Sequence, residues 1–243
     1  MMKPLMDLHT HTMASGHGYS TLKENIEAAK EKGLRVLGLS EHGPAMPGGP
    51  HVFFLANYRC IPREYGNLRL LCGVEANIMD YNGTLDVEEP LLKKMDYVIA
   101  SMHVQCCQPG SMEENTMASI LAMRNPCVTV LGHPDDSRYL LDREAIAKEA
   151  GKEQVAIEIN NSSLNPKSAR KNGRENIKEL LYWCSRYRVP VILGTDSHIC
   201  YTVGCFEDTL QLLEEMSFPE ELVLNTNPEN LTKLVNPLNK NII

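Results

Sequence analysis

The segment "PLMDLHTHTMASGHGYS", residues 4–20, runs from an apolar stretch straight into three histidines, His9, His11 and His17. In extended backbone alternate side chains point the same way, so the His9-Thr10-His11 triplet aims two imidazoles at one place. Imidazoles at the end of a buried segment need partners. Where those partners lie along the chain decides the fold.

Seven short apolar or β-branched runs predict strands at residues 5–9, 35–40, 68–75, 97–103, 128–133, 154–160 and 190–196. Helical patterns lie between them. Thr21-Leu22-Lys23-Glu24 reads as a capping box opening a helix that stops at Gly33, and Asp142 and Gly151 bracket another. Further helices are expected over residues 113–124, 174–188 and 206–216, and over 228–235 behind Asn227-Pro228. The stretch 43–50, with three prolines and three glycines, reads as a long loop. Strands alternating with helices imply right-handed βαβ units and a parallel sheet, here a single domain over residues 1–243.

The histidines choose between an open sheet and a closed ring. His9, His11 and His17 follow the first predicted strand, His42 the second and His198 the seventh, while His103 and His133 end the fourth and fifth. Glu75 and Asp196 end the third and seventh; only His51 falls outside the pattern. A ring of parallel strands brings all these ends to one rim, whereas an open sheet spreads them along a line, so a closed or nearly closed barrel is favoured.

Asp196-Ser197-His198 repeats the spacing of the first pair at another strand end. Glu75, in "CGVEANI", closes an apolar run where a lone carboxylate costs several kcal/mol unless it is paired or coordinated. Seven imidazoles with Glu75 and Asp196 make nine candidate ligands. A catalytic ion takes three or four, so nine suit three ions. Imidazole-rich sites favour zinc, iron or manganese over magnesium or calcium, and the sequence leaves those three open.

Of the 243 residues 43% are hydrophobic and 23% charged, enough for a full core, and the formal net charge is −7. That charge disfavours a long nucleic acid or an anionic membrane as partner and suits a small substrate. There is no apolar run of the length a signal or membrane span needs, so a cytoplasmic location is expected. Eight cysteines without a CxxC pair predict reduced thiols and no separate zinc knuckle. No Cys has an Arg six positions on, no Asp-x-Asp occurs and there is no GxxxxGK loop, which leaves no cysteine-phosphatase, aspartyl-phosphate or P-loop signature.

"DLHTHTMASGH", "SEHG", "GVEANI", "SMH", "GHP", "EINNSS" and "GTDSH", in that order over nearly the whole chain, resemble the motifs of the polymerase-and-histidinol-phosphatase (PHP) superfamily, and most closely its YcdX-type phosphatases. The resemblance implies a distorted (βα)7 TIM-like barrel, a trinuclear centre with zinc as the first expectation, and metal-dependent phosphoesterase activity. It assigns His9, His11, Glu75 and Asp196 to one ion. Glu75 then bridges to a second ion held by His103 and His133, and His17, His42 and His198 hold the third. Glu41 departs from the Asp common in the second motif; if it orients His42, its longer side chain must reach the ring differently.

The expected activity is hydrolysis of a small phosphomonoester by a metal-bound hydroxide, Glu75 and Asp196 being the carboxylates closest to the chemistry. A phosphodiesterase or nuclease activity is the enzymatic alternative, and a metal-binding protein without turnover is the non-enzymatic one. Arg138 is a candidate phosphate fork, Asn160 a candidate substrate contact at the sixth strand end, and His51 a candidate cleft residue or proton donor. Self-association into a homo-oligomer is left open.

Overall fold

The computed structural model describes residues 2–239. Its strands are β1 (Met6–Asp7), β2 (Val36–Leu39), β3 (Glu64–Tyr65), β4 (Leu68–Cys72), β5 (Val74–Asn77), β6 (Val98–Ser101), β7 (Val130–Leu131), β8 (Ala156–Asn160) and β9 (Val191–Gly194). The helices are α1 (Leu22–Glu31), α2 (Val52–Ala56), α3 (Glu89–Leu92), α4 (Met112–Met123), α5 (Arg143–Glu153), α6 (Gly173–Tyr187) and α7 (Glu207–Glu215). Two sheets, β1-β2-β4-β3 and β5-β6-β7-β8-β9, form one ring, parallel except for the β3–β4 hairpin.

Each seam between the sheets has a physical cause. The predicted strand over 68–75 is two strands split at Gly73, where a side chain would strike the Tyr97 ring at 2.5 Å. β4 pairs with β2 and β5 with β6, yet the ring continues because Glu75 N donates to Glu41 O at 3.0 Å and Gly43 N to Glu75 O at 2.8 Å. At the other seam His11 N donates to Ser197 O at 2.8 Å and Ser197 N to His9 O at 3.2 Å. Deeper in this seam the side chain of Asn225 stands where strand pairing is missing: its Nδ2 donates to Met6 O and Leu193 O, both at 2.8 Å, and its Oδ1 accepts from Leu193 N at 2.7 Å. Seven positions therefore close into the expected distorted (βα)7 barrel, with β4 and β5 sharing one.

Alternation along the strands separates two layers. Leu37, Leu39, Val98, Ala100, Ile157, Ile159, Val191 and Leu193 face outward into the main core with the helices. Inside, Met6, Leu8, Val36, Leu71, Tyr97, Ile99, Val130, Ala156 and Ile192 fill the end where the strands begin, closed by Leu224 and Leu234. Two or four residues further along the same inward-facing register come Ser101 and His103 after Ile99, Glu158 and Asn160 after Ala156, and Gly194 and Asp196 after Ile192. The barrel is thus apolar at one end and polar at the other.

Helix boundaries follow local chemistry with some corrections. The capping boxes Thr21/Glu24 and Ser111/Glu114 are both formed, and Asp142 caps α5 through Ala145 N. Gly151, expected as the stop of α5, lies inside it; the helix ends two residues later and Gln154 takes the left-handed turn at φ 58°. The segment behind Asn227 is a 3-10 helix, Pro228–Lys233. α2 and α3, five and four residues long, are too short for a periodic pattern to show.

Asn225 is fully buried and makes four hydrogen bonds across the closing seam, the fourth from Leu5 N to its carbonyl. Asn225→Leu strands buried N–H and C=O groups on β1 and β9, so a loss of about 3 kcal/mol in unfolding free energy is expected. Chemical denaturation of the variant beside the wild type measures it.

Candidate metal centre

Glu75 emerges from β5 into the barrel with no solvent exposure. Its Oε2 lies 3.2 Å from His9 Nε2, 3.4 Å from His11 Nε2 and 2.8 Å from His42 Nδ1. Its Oε1 lies 2.9 Å from His133 Nε2 and 3.4 Å from His103 Nε2. Asp196 Oδ1 completes the first group at 3.5 Å from His9 Nε2 and 3.3 Å from His11 Nε2. At the outer end His17 Nε2 and His198 Nε2 face each other at 2.9 Å.

Four of the rings are anchored through Nδ1. His9 Nδ1 lies 2.6 Å from Glu158 Oε1, His11 Nδ1 3.1 Å from Ser15 Oγ, His103 Nδ1 2.8 Å from Asn77 Oδ1 and His198 Nδ1 2.9 Å from the Asp196 carbonyl. With Nδ1 engaged, Nε2 is the atom turned towards the cluster on all four rings, as in histidines that hold a metal. His9 Nε2, His11 Nε2, Glu75 Oε2 and both ring nitrogens of His42 are buried without a hydrogen-bond partner. Orphaned buried lone pairs converging at about 3 Å are costly by themselves, and a cation satisfies them.

Among the described residues three groups of donor atoms come close enough to hold an ion: His9 with His11 and Asp196, His42 with Glu75 and His103, and His11 with His42 and His198. They overlap: His42 turns Nδ1 towards Glu75, and His11 stands between two groups. All nine expected ligands are gathered at the rim, and nitrogen and oxygen donors in this arrangement fit divalent transition ions.

Electrostatics agree with this geometry. Burial pushes His11 well below the usual histidine range, helped by His42 and His198, and brings His103 down to about 4. Burial opposes charge on His9 too, but Glu158, Glu75 and Asp196 together raise it well above the usual value. Burial would likewise raise Glu75 and Asp196; His9 and its neighbouring imidazoles hold Glu75 well below the carboxylate range, and Arg170 with His9 does the same for Asp196. Asp196 and His133 have positive φ, 52° and 27°, backbone strain of the kind held at functional sites.

Glu158, Gly194 and Arg170 support the cluster and stand out little in the sequence. Glu158 sits inside the apolar run "VAIEIN"; besides His9 it accepts from His133 N at 2.8 Å. A lone acidic residue on the inward register of a buried strand is the one cue that pointed to it. Gly194 makes room for it, since a Cβ there would lie 1.8 Å from Glu158 Oε1. Arg170, on the loop after β8, donates through Nη2 to Asp196 Oδ2 at 2.6 Å. Glu41 does not reach the His42 ring; it accepts from Thr12 and Ser15, and Ser15 in turn contacts the His11 ring and the His42 N–H. Asp7 accepts from Thr195 and Gly204 and stays apart from the donor cluster.

A cavity of about 500 Å³ opens over the cluster, lined by His17, His42, His103, Asp196, His198 and Arg138 among others. Arg138 therefore faces the centre, with its Nη2 on Asp136 Oδ2 at 2.6 Å. Asn160 does not line the cavity: its side chain is spent on Ser162 N, Glu158 and Arg170 as a buried cap. His51 is outside as well, exposed at the start of α2 with Nδ1 accepting from Phe53 N at 3.2 Å.

Two outcomes are expected. Glu158→Gln, which weakens the hold on His9, lowers metal affinity about 10- to 100-fold with the fold retained, as measured by competition with a chromophoric chelator. Protons and ions compete for His9 Nε2, whose proton affinity is raised, so metal affinity strengthens as pH rises through and above the ordinary histidine range. Calorimetry in buffers of different ionisation enthalpy should detect the released proton.

Comparison with known proteins places this geometry. The model of the PHP domain matches residues 7–162, more than half of the chain. A probable phosphatase of Clostridium novyi is 44% identical over 230 residues, covering 95% of this chain and 93% of its own length. One of Caldanaerobacter subterraneus is 42% identical over 243 residues, covering 99% and 94%. Among solved structures, histidinol phosphate phosphatase from Lactococcus lactis, complexed with zinc, L-histidinol and phosphate, shares the fold with a TM-score of 0.59 at 16% identity, covering 90% of this chain and 95% of its own. With its rim of histidines around a buried glutamate, the chain belongs to the PHP domain family.

Proposed function

We propose that the protein is a metal-dependent phosphatase that hydrolyses a small phosphomonoester at a three-ion centre built from His9, His11, His17, His42, Glu75, His103, His133, Asp196 and His198. The observation that carries this reading is the set of buried, partnerless donor atoms around Glu75 at the floor of an open cavity. The names of the relatives, probable phosphatases, and the zinc and phosphate bound by the Lactococcus lactis enzyme agree with it.

Divalent ions in this position supply Lewis acidity towards phosphate oxygens and acidify water near neutral pH. The chain's own residues do the rest. Glu75 lends both carboxylate oxygens to the middle of the cluster and so holds its two sides in a fixed relation. Glu158, Ser15 and Asn77 keep the imidazoles turned inward, which preorganises the site before substrate arrives. Arg138 adds a positive charge to the cavity wall beside the centre, where it faces the body of a bound ester. Thiol attack is not served by this site, since burial pushes Cys106 up to about 11 and Cys107 is also raised.

Elemental analysis of carefully purified protein should find close to three transition ions per chain, and one or none would overturn the trinuclear centre. p-Nitrophenyl phosphate should be hydrolysed faster than bis-p-nitrophenyl phosphate; the reverse order would promote a diesterase. Glu75→Gln should cut turnover at least about a hundredfold while circular dichroism stays unchanged.

A further inference from the structure

The cavity wall beyond the donor cluster has a marked charge character. Arg138 comes from the loop after β7, and Lys167 and Arg170 come from the strap of residues 165–171 after β8. Gln105, Ser162 and Ser168 complete this side, Asp196 is the one carboxylate among the lining residues, and no Phe, Tyr or Trp lines the space. The two loops are tied together, since Ser137 N donates to Lys171 O at 3.0 Å and Lys171 N to Asp136 Oδ1 at 3.3 Å, and α6 holds the first through Asn176 Nδ2 to Ser137 Oγ at 2.8 Å. The backbones that carry the cations are therefore held in a fixed relation to one another.

They are not equally available. Arg170 is committed to Asp196 at 2.6 Å. Asp136 Oδ2 takes the Nε and Nη2 of Arg138 at 2.7 and 2.6 Å and leaves the Nη1 edge open. Lys167 is exposed and makes no ion pair among the described residues. The ester phosphate is already served by the centre on the floor, so the ammonium of Lys167 and the open edge of Arg138 are surplus to it. A volume of about 500 Å³ has room for a leaving group reaching that wall.

We infer that the leaving group carries a second anionic group, a carboxylate or a second phosphate, seated against Lys167 and the open edge of Arg138; this rests on the phosphatase reading above. A cationic leaving group meets like charge there, and a nucleobase finds no aromatic face on which to stack. A neutral polyol binds through Gln105, Ser162 and Ser168 but gains nothing from the cations.

A matched hexose set tests this with the metal-loaded full chain: 6-phosphogluconate and glucose 1,6-bisphosphate as anionic members, glucose 6-phosphate as the neutral one and glucosamine 6-phosphate as the cationic one. At low salt kcat/KM should fall about tenfold from the better anionic member to the neutral one, and again to the cationic one, and the steps should narrow in 0.5 M salt. Preference for 6-phosphogluconate alone assigns a carboxylate, and for the bisphosphate alone a phosphate. Lys167→Glu should bring the anionic-to-neutral ratio close to one, and the milder Lys167→Gln should lower it about threefold. Equal kcat/KM across the set, with p-nitrophenyl phosphate still hydrolysed, overturns the inference and leaves the phosphatase intact. Absence of p-nitrophenyl phosphate hydrolysis by the metal-loaded chain removes both.

Discussion

A carboxylate without solvent exposure sits among five imidazoles, and the upper half of the barrel is organised around that contact. Burying Glu75 is unfavourable unless positive charge surrounds it, and burying imidazoles is unfavourable unless their nitrogens are used. Each group compensates the other only in part, because Glu75 Oε2 and the facing nitrogens of His9, His11 and His42 remain without hydrogen bonds. The polar end of the barrel is thus a site whose own chemistry calls for cations, and its stability is coupled to binding them.

The other end of the barrel makes such a site tolerable. Tyr97 fills the interior below it, with its hydroxyl donating to Leu8 O at 2.7 Å, and glycines at 38 and 73 leave room for its hydroxyl and its ring. Around it the inward-facing apolar residues pack into a plug closed from below by Leu224 and Leu234. This plug and the outer core carry the folding free energy, so the rim can hold unsatisfied donors, two strained backbones and a row of clustered charges. One strand register serves both ends: the inward face that begins apolar at Ile99, Ala156 and Ile192 ends polar at His103, Asn160 and Asp196.

Above the centre, chemistry passes from the strands to the loops. Arg170 touches Asp196 and also lines the cavity, so it links the ligand cluster to the substrate side. The loops after β7 and β8 are locked to each other by Ser137, Asp136 and Lys171, which gives the wall a fixed shape. Loop residues on a rigid scaffold are where members of one fold diverge in what they accept.

The linear chain by itself determined the alternation of strands and helices, the placement of seven histidines with Glu75 and Asp196 at strand ends, and hence a ring with an ion-binding rim. These were legible because strand period and histidine position are local properties. Tertiary structure decided the rest. Only closure of the ring shows that Glu158 stands behind His9, that Asn77 anchors His103, and that Glu41 works through Ser15 on His11, since these pairs are 26 to 149 residues apart and their residue types are ordinary ones. It also places Asn160 and His51 outside the cavity, although Asn160 ends a predicted strand and His51 follows the long loop beyond another. The physical reason is direction: a sequence records how far a side chain lies from the end of a strand, while packing decides which way it points and which group it meets.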